Sequence, residues 1–256
     1  MSARQAPKVD LDATRHRLEH LGLDHAAARL SELLAEAVKE ESAPHRFLDQ
    51  LLEAEMTQRE ERRIRTGLRL SGLPTGQTLA SFDFGFQPSI SRSQIETLAT
   101  CAWIREQQTV LLQGPPGVGK THLAISLGVK AIENGFSVTF QPFDELLHQL
   151  KRDADLSPQR LRRKKYMNVA LLIVDELGFQ PLSRQEATLF FRLANWRYNR
   201  GSILITTNKS VKDWPEIMAG DEVMTTALLD RLLHRCQVVN ITGRSYRLRD
   251  IERLLQ

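Results

Sequence analysis

Thr109-Val110-Leu111-Leu112-Gln113-Gly114-Pro115-Pro116-Gly117-Val118-Gly119-Lys120-Thr121-His122 is the stretch that decides the fold of this 256-residue chain. Val110 to Leu112 form an apolar run of strand type, and Leu123, Ala124, Leu127 and Gly128 continue with helical spacing. Between them, residues 114–121 match G-x-x-x-x-G-K-[ST], a phosphate-binding loop, in the strand–loop–helix setting that this pattern needs. A glycine-rich structural turn would explain the glycines but not that setting. Glycines let backbone N–H groups turn inward on a phosphate with no Cβ in the way, and the helix N-terminus adds its dipole. Lys120 is expected to reach the β- and γ-phosphates and Thr121 to offer its hydroxyl to Mg²⁺. Gly114, Pro115, Pro116, Gly117, Val118, Gly119, Lys120, Thr121 and His122 are therefore the expected nucleotide cradle.

Two further strands end in groups suited to the same chemistry. Val169-Ala170-Leu171-Leu172-Ile173-Val174 is nearly continuously apolar, as strands of a parallel sheet covered on both faces are. It ends in Asp175-Glu176, at the carboxyl edge where open α/β sheets bind their ligands. Asp175 is expected to hold Mg²⁺, and Glu176 to orient and polarise an attacking water. Ser202 to Asn208 reads as another buried strand, which brings Asn208 to the same edge for contact with the γ-phosphate or its water. Ser137–Gln141 and Val238–Ile241 are further strand candidates, and Ser183–Arg200 a long helix.

Upstream of residue 70 the pattern is helical only. Leu18 and Leu21 close a first short amphipathic segment, Ala26, Ala27, Leu30, Leu33, Leu34, Ala37 and Val38 then recur at three and four, and Ser42-Ala43-Pro44 interrupts before another helix from Phe47. That helix runs into Arg59, Arg62, Arg63, Arg65 and Arg69. These arginines suit a phosphate backbone, and they equally suit a solvated face paired with Glu55, Glu60 and Glu61. A second basic cluster, Arg160, Arg162, Arg163, Lys164 and Lys165, precedes the Asp175 strand. His16, His20 and His25 lack the further ligand a metal site needs and read as surface residues. The boundary is expected at Ser71-Gly72-Leu73-Pro74-Thr75-Gly76, giving a helical domain at 1–72 and an α/β domain at 73–256. Phe82, Phe84 and Phe86 follow it, either as core packing or beside a purine ring.

Composition narrows the class. Hydrophobic residues make up 41% and charged residues 26%, as in an ordinary globular protein. There is neither a membrane-length apolar run nor a signal-peptide core, so a cytoplasmic location is expected. Two cysteines form no disulfide framework. A net charge of +4 spread over the whole chain is too diffuse to hold a duplex, so DNA binding would have to come from the two clusters.

The order of these elements resembles the AAA+ ATPases. It looks most like the IstB family, the helper ATPases of insertion-sequence transposition, and their relatives the DnaC-type helicase loaders. The resemblance rests on residues 114–124, on Val174-Asp175-Glu176-Leu177-Gly178-Phe179, on Ala227-Leu228-Leu229-Asp230-Arg231-Leu232-Leu233-His234 and on Gly243-Arg244-Ser245-Tyr246-Arg247-Leu248. It extends over nearly the whole chain. It implies a P-loop NTPase fold with a parallel-sheet core and helices on both faces, preceded by a small helical domain. It also implies ATP and Mg²⁺ as cofactors, ATP hydrolysis, self-association, double-stranded DNA and a transposase as partners, and no membrane. Residues 114–121 would be the Walker A loop, Asp175 and Glu176 the Walker B pair, and Asn208 the sensor. Arg231 would be the arginine finger reaching the ATP of a neighbouring subunit, with Arg235 one turn away on the same face, and Arg247 a substitute for a second sensor. Arg62, Arg63, Arg162, Arg163, Lys164 and Lys165 are the expected DNA contacts. The sequence departs from the expected pattern at Lys209, where an apolar residue was anticipated. A helicase loader acting on single-stranded DNA is the alternative. A small-molecule kinase fits the Asp-Glu pair with Asn208 and Arg231 less well, because these residues suit water as acceptor.

Overall fold

Leu171, Leu172, Ile173 and Val174 have no exposed surface, and the strand they form lies inside a five-stranded sheet. The computed structural model describes residues 10–248, which divide into two units, one ending at Thr66 and the other starting at Gly67. In the second unit the strands are β1 (Thr109–Gln113), β2 (Val138–Pro142), β3 (Leu171–Leu177), β4 (Ser202–Thr207) and β5 (Cys236–Asn240). All pairs are parallel, in the order β2-β3-β4-β1-β5. The register sets Gln113 beside both Thr207 and Asn240, and Asp175 beside Pro142. The carboxyl ends of β1, β3 and β4 therefore share one edge, where the chain order switches.

Alternation along the strands divides the core, because successive side chains point to opposite faces. Helices are numbered here where they have eight or more residues: α1 (Leu11–His20), α2 (Asp24–Lys39), α3 (Pro44–Ser71), α4 (Arg92–Ala99), α5 (Lys120–Glu133), α6 (Phe143–Arg152), α7 (Arg184–Arg197) and α8 (Glu222–Leu233). Leu111, Leu172, Val174, Ile203 and Ile205 pack with the buried residues of α6, α7 and α8, among them Leu146, Phe190 and Leu228. Ile173 points the other way, to α5. A Cβ on Gly128 would lie 2.7 Å from the Ile173 Cδ1, so glycine there permits the close approach of helix and sheet. The sheet is thus covered on both faces.

A buried arginine fixes the amino end of this sheet. Arg197, 1% exposed, donates to the carbonyls of Tyr166 (3.1 Å), Val169 (2.9 Å) and Ser202 (2.7 Å). Burial lowers its pKa to about 10, so it remains charged at neutral pH. No helix among the described residues is long and apolar enough to cross a membrane.

In the first unit, Ala26, Leu30 and Leu33 of α2 and Leu51 of α3 form a small core. Val38, expected in the same stripe, is 73% exposed, because the stripe drifts off the packed face at the end of the helix. The N-terminus of α2 has no side-chain cap of its own. Glu55 of α3 supplies one instead, accepting from the backbone N–H groups of His25 and Ala26, both at 2.9 Å. Arg59 closes the arrangement, donating to Glu55 (2.8 Å) and to the Gly22 carbonyl (2.5 Å). Burial pushes the Glu55 pKa up, but the N–H of Ala26, Arg59 and the N–H of His25 outweigh it, and the net shift is downward. Such a carboxylate stabilises the fold above its unfolded pKa, and that contribution is lost as pH falls through the lower folded value. Glu55→Ala should cost about 1–3 kcal/mol by leaving two helix N–H groups unpaired. Urea unfolding at neutral and acidic pH checks this, and the difference from wild type should shrink in acid.

Candidate functional site

The loop leaving β1 wraps the start of α5, and its glycines are required by what lies over them. Gly117 and Gly119 have φ of 81° and 98°. A Cβ on Gly119 would meet the Phe82 ring at 2.7 Å, and one on Gly117 would run into Ser245. Gly119 caps α5 without a side-chain hydrogen bond, so the N–H groups of the first turn are left for a ligand. Lys120 Nζ donates to the carbonyls of Gly114 and Pro115, both at 2.7 Å. Burial lowers the Lys120 pKa, Asp175 and Glu176 oppose the shift, and Arg247 adds to it. A phosphate here would supply the negative charge that this half-buried ammonium favours.

Hydroxyl groups join the three strand ends. Thr121 Oγ1 lies 3.0 and 3.1 Å from the two Asp175 carboxylate oxygens. Thr206, on β4 and fully buried, donates to Asp175 Oδ1 at 2.5 Å. Its oxygen also accepts the Glu176 N–H at 2.9 Å. Glu176 has a left-handed φ of 62°, and the β3–β4 register shifts between Val174 and Leu177. The bulge buries Asp175 in the sheet edge and turns the next carboxylate, Glu176, out to solvent. Positive φ at a non-glycine residue costs energy, and here it presents a charged group to a cavity.

That cavity, about 590 Å³, is lined by Lys120, Thr121, Glu176, Asn208, Tyr246 and Arg247 among others. It has the volume of a small-ligand site. Of the three phenylalanines, Phe82 lines it, edge-on to His122 at 5.3 Å. His122 also reaches the Thr78 carbonyl at 2.9 Å. Phe86 packs edge-on to Tyr246 at 5.1 Å, and Phe84 carries the Arg92 guanidinium at 5.6 Å. Residues 242–248 lie against the loop: Tyr246 N–H donates to the Gly117 carbonyl at 2.9 Å, and Gln87 Nε2 to the Arg244 carbonyl at 2.8 Å.

The residue set fits a magnesium nucleotide. Mg²⁺ binds through one or two protein oxygens plus phosphates rather than in an all-protein cage. The Thr121–Asp175 pair supplies such oxygens, and no group of three or more His, Cys, Asp or Glu able to hold a metal occurs among the described residues.

The family described as IstB-like ATP binding protein matches residues 16–253. The chain belongs to that family. A Pseudomonas aeruginosa protein named for insertion sequence IS21 and for ATP binding is 43% identical, over 91% of this chain and 88% of its own length. A Geobacillus stearothermophilus protein named in the same way for IS5376 is 39% identical, over 92% of each. Among solved structures, AMPPCP-bound DnaA from Aquifex aeolicus superposes with a TM-score of 0.55 at 18% identity, covering 72% of this chain and 56% of that one. The fold is that of an AAA+ P-loop NTPase.

Within the second unit, the other expected residues of this IstB-like chain are not among those lining the cavity. Arg231, on α8, bonds to Asn195. Arg162 stacks on Trp196 at 4.8 Å, Lys164 pairs with Asp153 at 2.7 Å and Lys165 donates to the Leu70 carbonyl, while Arg163 is exposed. In the first unit Arg62 is exposed and Arg63 pairs with Glu60 at 2.5 Å. Thr206 escaped the sequence reading, since a threonine in an apolar strand gives no signal until its neighbours are known. Thr206→Val keeps the shape but leaves the Glu176 N–H without its acceptor and Asp175 with the Thr121 hydroxyl alone. It should cost about 1–3 kcal/mol in stability and slow phosphate release from ATP at least ~10-fold. Thr206→Ser should restore most of both; thermal unfolding and phosphate-release assays on the pair check it.

Proposed function

We propose that this chain is an ATPase that binds ATP with Mg²⁺, assembles with copies of itself on double-stranded DNA and assists the transposase of an insertion sequence, in the cytoplasm. The observation that carries this reading is the meeting, at one sheet edge, of Lys120, the Thr121–Asp175 pair, Glu176 and Asn208 in a chain of the IstB-like family. The insertion-sequence names of the relatives favour a transposase over a replicative helicase as partner.

The residues divide the work as follows. Loop N–H groups from Gly117 to Thr121, with the start of α5, cradle the phosphates, and Lys120 leaves the Gly114 and Pro115 carbonyls to meet the β- and γ-phosphates. Thr121 and Asp175 hold Mg²⁺, which when bound draws negative charge off the phosphates. Glu176 takes a proton from water as the water oxygen bonds to the γ-phosphorus. The bond from that phosphorus to the bridging oxygen breaks, and the electron pair leaves on ADP. Asn208 orients the water, and Arg231 of an adjacent copy stabilises the charge on the transferring phosphoryl group. With ATP shared between copies, nucleotide state and assembly state are linked.

DNA is assigned to the two basic stretches, with Arg62 and Arg63 in one and Arg162, Arg163, Lys164 and Lys165 in the other. The ion pair of Arg63 with Glu60 does not oppose this, since exposed pairs are screened by solvent and weak. Assembly multiplies a weak contact per subunit into avidity along the duplex.

Glu176→Gln separates binding from chemistry. It should bind ATP as wild type does and hydrolyse it at least ~100-fold more slowly, whereas Lys120→Ala should lose the nucleotide. Phosphate release with no added acceptor distinguishes hydrolysis from a kinase reaction, and wild-type turnover by Glu176→Gln would remove that residue from the mechanism. For DNA, alanine at 162–165 should weaken duplex binding on all sequences alike. Each lost phosphate contact should flatten log affinity against log salt by about 0.9. Unchanged affinity and slope, both in that variant and in one lacking residues 1–70, would place the DNA elsewhere.

A further inference from the structure

Arg231 is held by three neutral groups. Its Nε donates to Oδ1 of Asn195 at 2.6 Å, its Nη1 donates to the Ala227 carbonyl at 2.7 Å, and its guanidinium sits 5.3 Å from the centre of the Phe191 ring. Phe191 and Asn195 are one turn apart on α7 and so share a face. Among the described residues Arg231 has no carboxylate partner, and its Nη2 makes no hydrogen bond. Arg235, one turn further on, is exposed and has no side-chain hydrogen bond among the described residues.

The helix that grips Arg231 is itself fixed at both ends. Ser183 and Glu186 form a reciprocal cap at its start, and Glu186 pairs with Lys151 of α6 at 2.6 Å. At its end, Arg197 is locked into the carbonyls of Tyr166, Val169 and Ser202. Asn195 is therefore a stationary acceptor, two residues before that lock.

We propose that Asn195 and Phe191 are positioning residues that present Arg231 as an oriented cation, its charge unspent, to the nucleotide bound by an adjacent copy. This rests on the reading of Arg231 as a group that acts across subunits. A carboxylate at position 195 would orient the guanidinium equally well, but it would neutralise the charge that the phosphoryl group needs. An amide oxygen, a backbone carbonyl and a ring face restrain the side chain without doing so, and they leave one terminal nitrogen for the phosphate. Orientation set before the reaction need not be gained during it.

Asn195→Asp tests this directly, because its two consequences diverge. It converts a neutral grip into an ion pair, so the folded protein should be at least as stable as wild type by thermal unfolding. ATP turnover by the assembled full-length protein should nevertheless fall at least ~10-fold with ATP affinity unchanged. Asn195→Leu, which removes the grip, should slow turnover similarly. Mixing Asn195→Asp with Lys120→Ala should recover activity, because the second subunit donates a correctly held Arg231 to the intact loop of the first. Wild-type turnover by Asn195→Asp would overturn the neutral grip, and wild-type turnover by both variants would overturn the positioning role. Recovery of Arg231→Ala, but not of Asn195→Asp, in mixtures with Lys120→Ala would confine Asn195 to its own subunit and overturn the proposal. Full turnover by Arg231→Ala alone, or its failure to recover when co-assembled, would instead remove the reading on which the proposal rests.

Discussion

The Asp175 carboxylate, held between the hydroxyls of Thr121 and Thr206, is the contact on which the site depends. It joins the first turn of α5 to the ends of β3 and β4, three segments far apart in the chain. A buried carboxylate is costly unless its lone pairs are satisfied. Two hydroxyls satisfy this one without cancelling its charge, so it remains available to a cation. The Thr206 oxygen then accepts the Glu176 N–H, and the bulge at that point turns Glu176 outward. Burial of one carboxylate and exposure of the next are thus a single local solution.

Much of this was legible in the sequence because it is written in contiguous residues. The phosphate loop, the apolar runs that became β1, β3 and β4, and the acidic pair at a strand end are all local patterns. β2 and β5 also formed, each within one or two residues of its expected bounds. What could not be read depends on long-range pairing. Thr206 becomes informative only when β4 lies beside β3. Glu55 caps a helix that begins some thirty residues before it, so a charge in an arginine-rich helix looked like part of a solvated face. Arg197 sits at the end of an amphipathic helix, where an arginine ordinarily faces water, yet it is buried in carbonyls. The phenylalanines could be placed near the loop but not sorted: Phe82 and Phe84 pack on each other, the first also meets His122 and the second Arg92, while Phe86 meets Tyr246.

The segment from 242 to 248 belongs to the same argument. Its backbone bonds to Gly117, and its Ser245 fills the space that a side chain at Gly117 would need. The glycine at 117 therefore serves two neighbours at once, a ligand on one side and this loop on the other. Tyr246 and Arg247 reach the cavity only because the loop is seated there. In sequence they follow the last strand with no periodic pattern, and only the resemblance carried by residues 243–248 pointed to a place for Arg247 at the nucleotide.

Among the described residues, the arginines and lysines differ in what holds them. Arg59, Arg63 and Lys164 meet carboxylates, and their charge is met locally. Lys120 meets two carbonyls, and Arg231 an amide oxygen, a carbonyl and a ring. Neutral acceptors fix direction while leaving the field of the cation intact, which is the condition for stabilising an anion that arrives later. Arg197 shows that neutral partners alone are not enough, since it is enclosed and its four-sided cage serves the sheet rather than a ligand. A cation suited to catalysis here must combine neutral partners with an open face. Lys120 has that opening on its own cavity, whereas Arg231 does not line that cavity, and it is the proposed role across subunits that would bring a phosphate to its unbonded nitrogen.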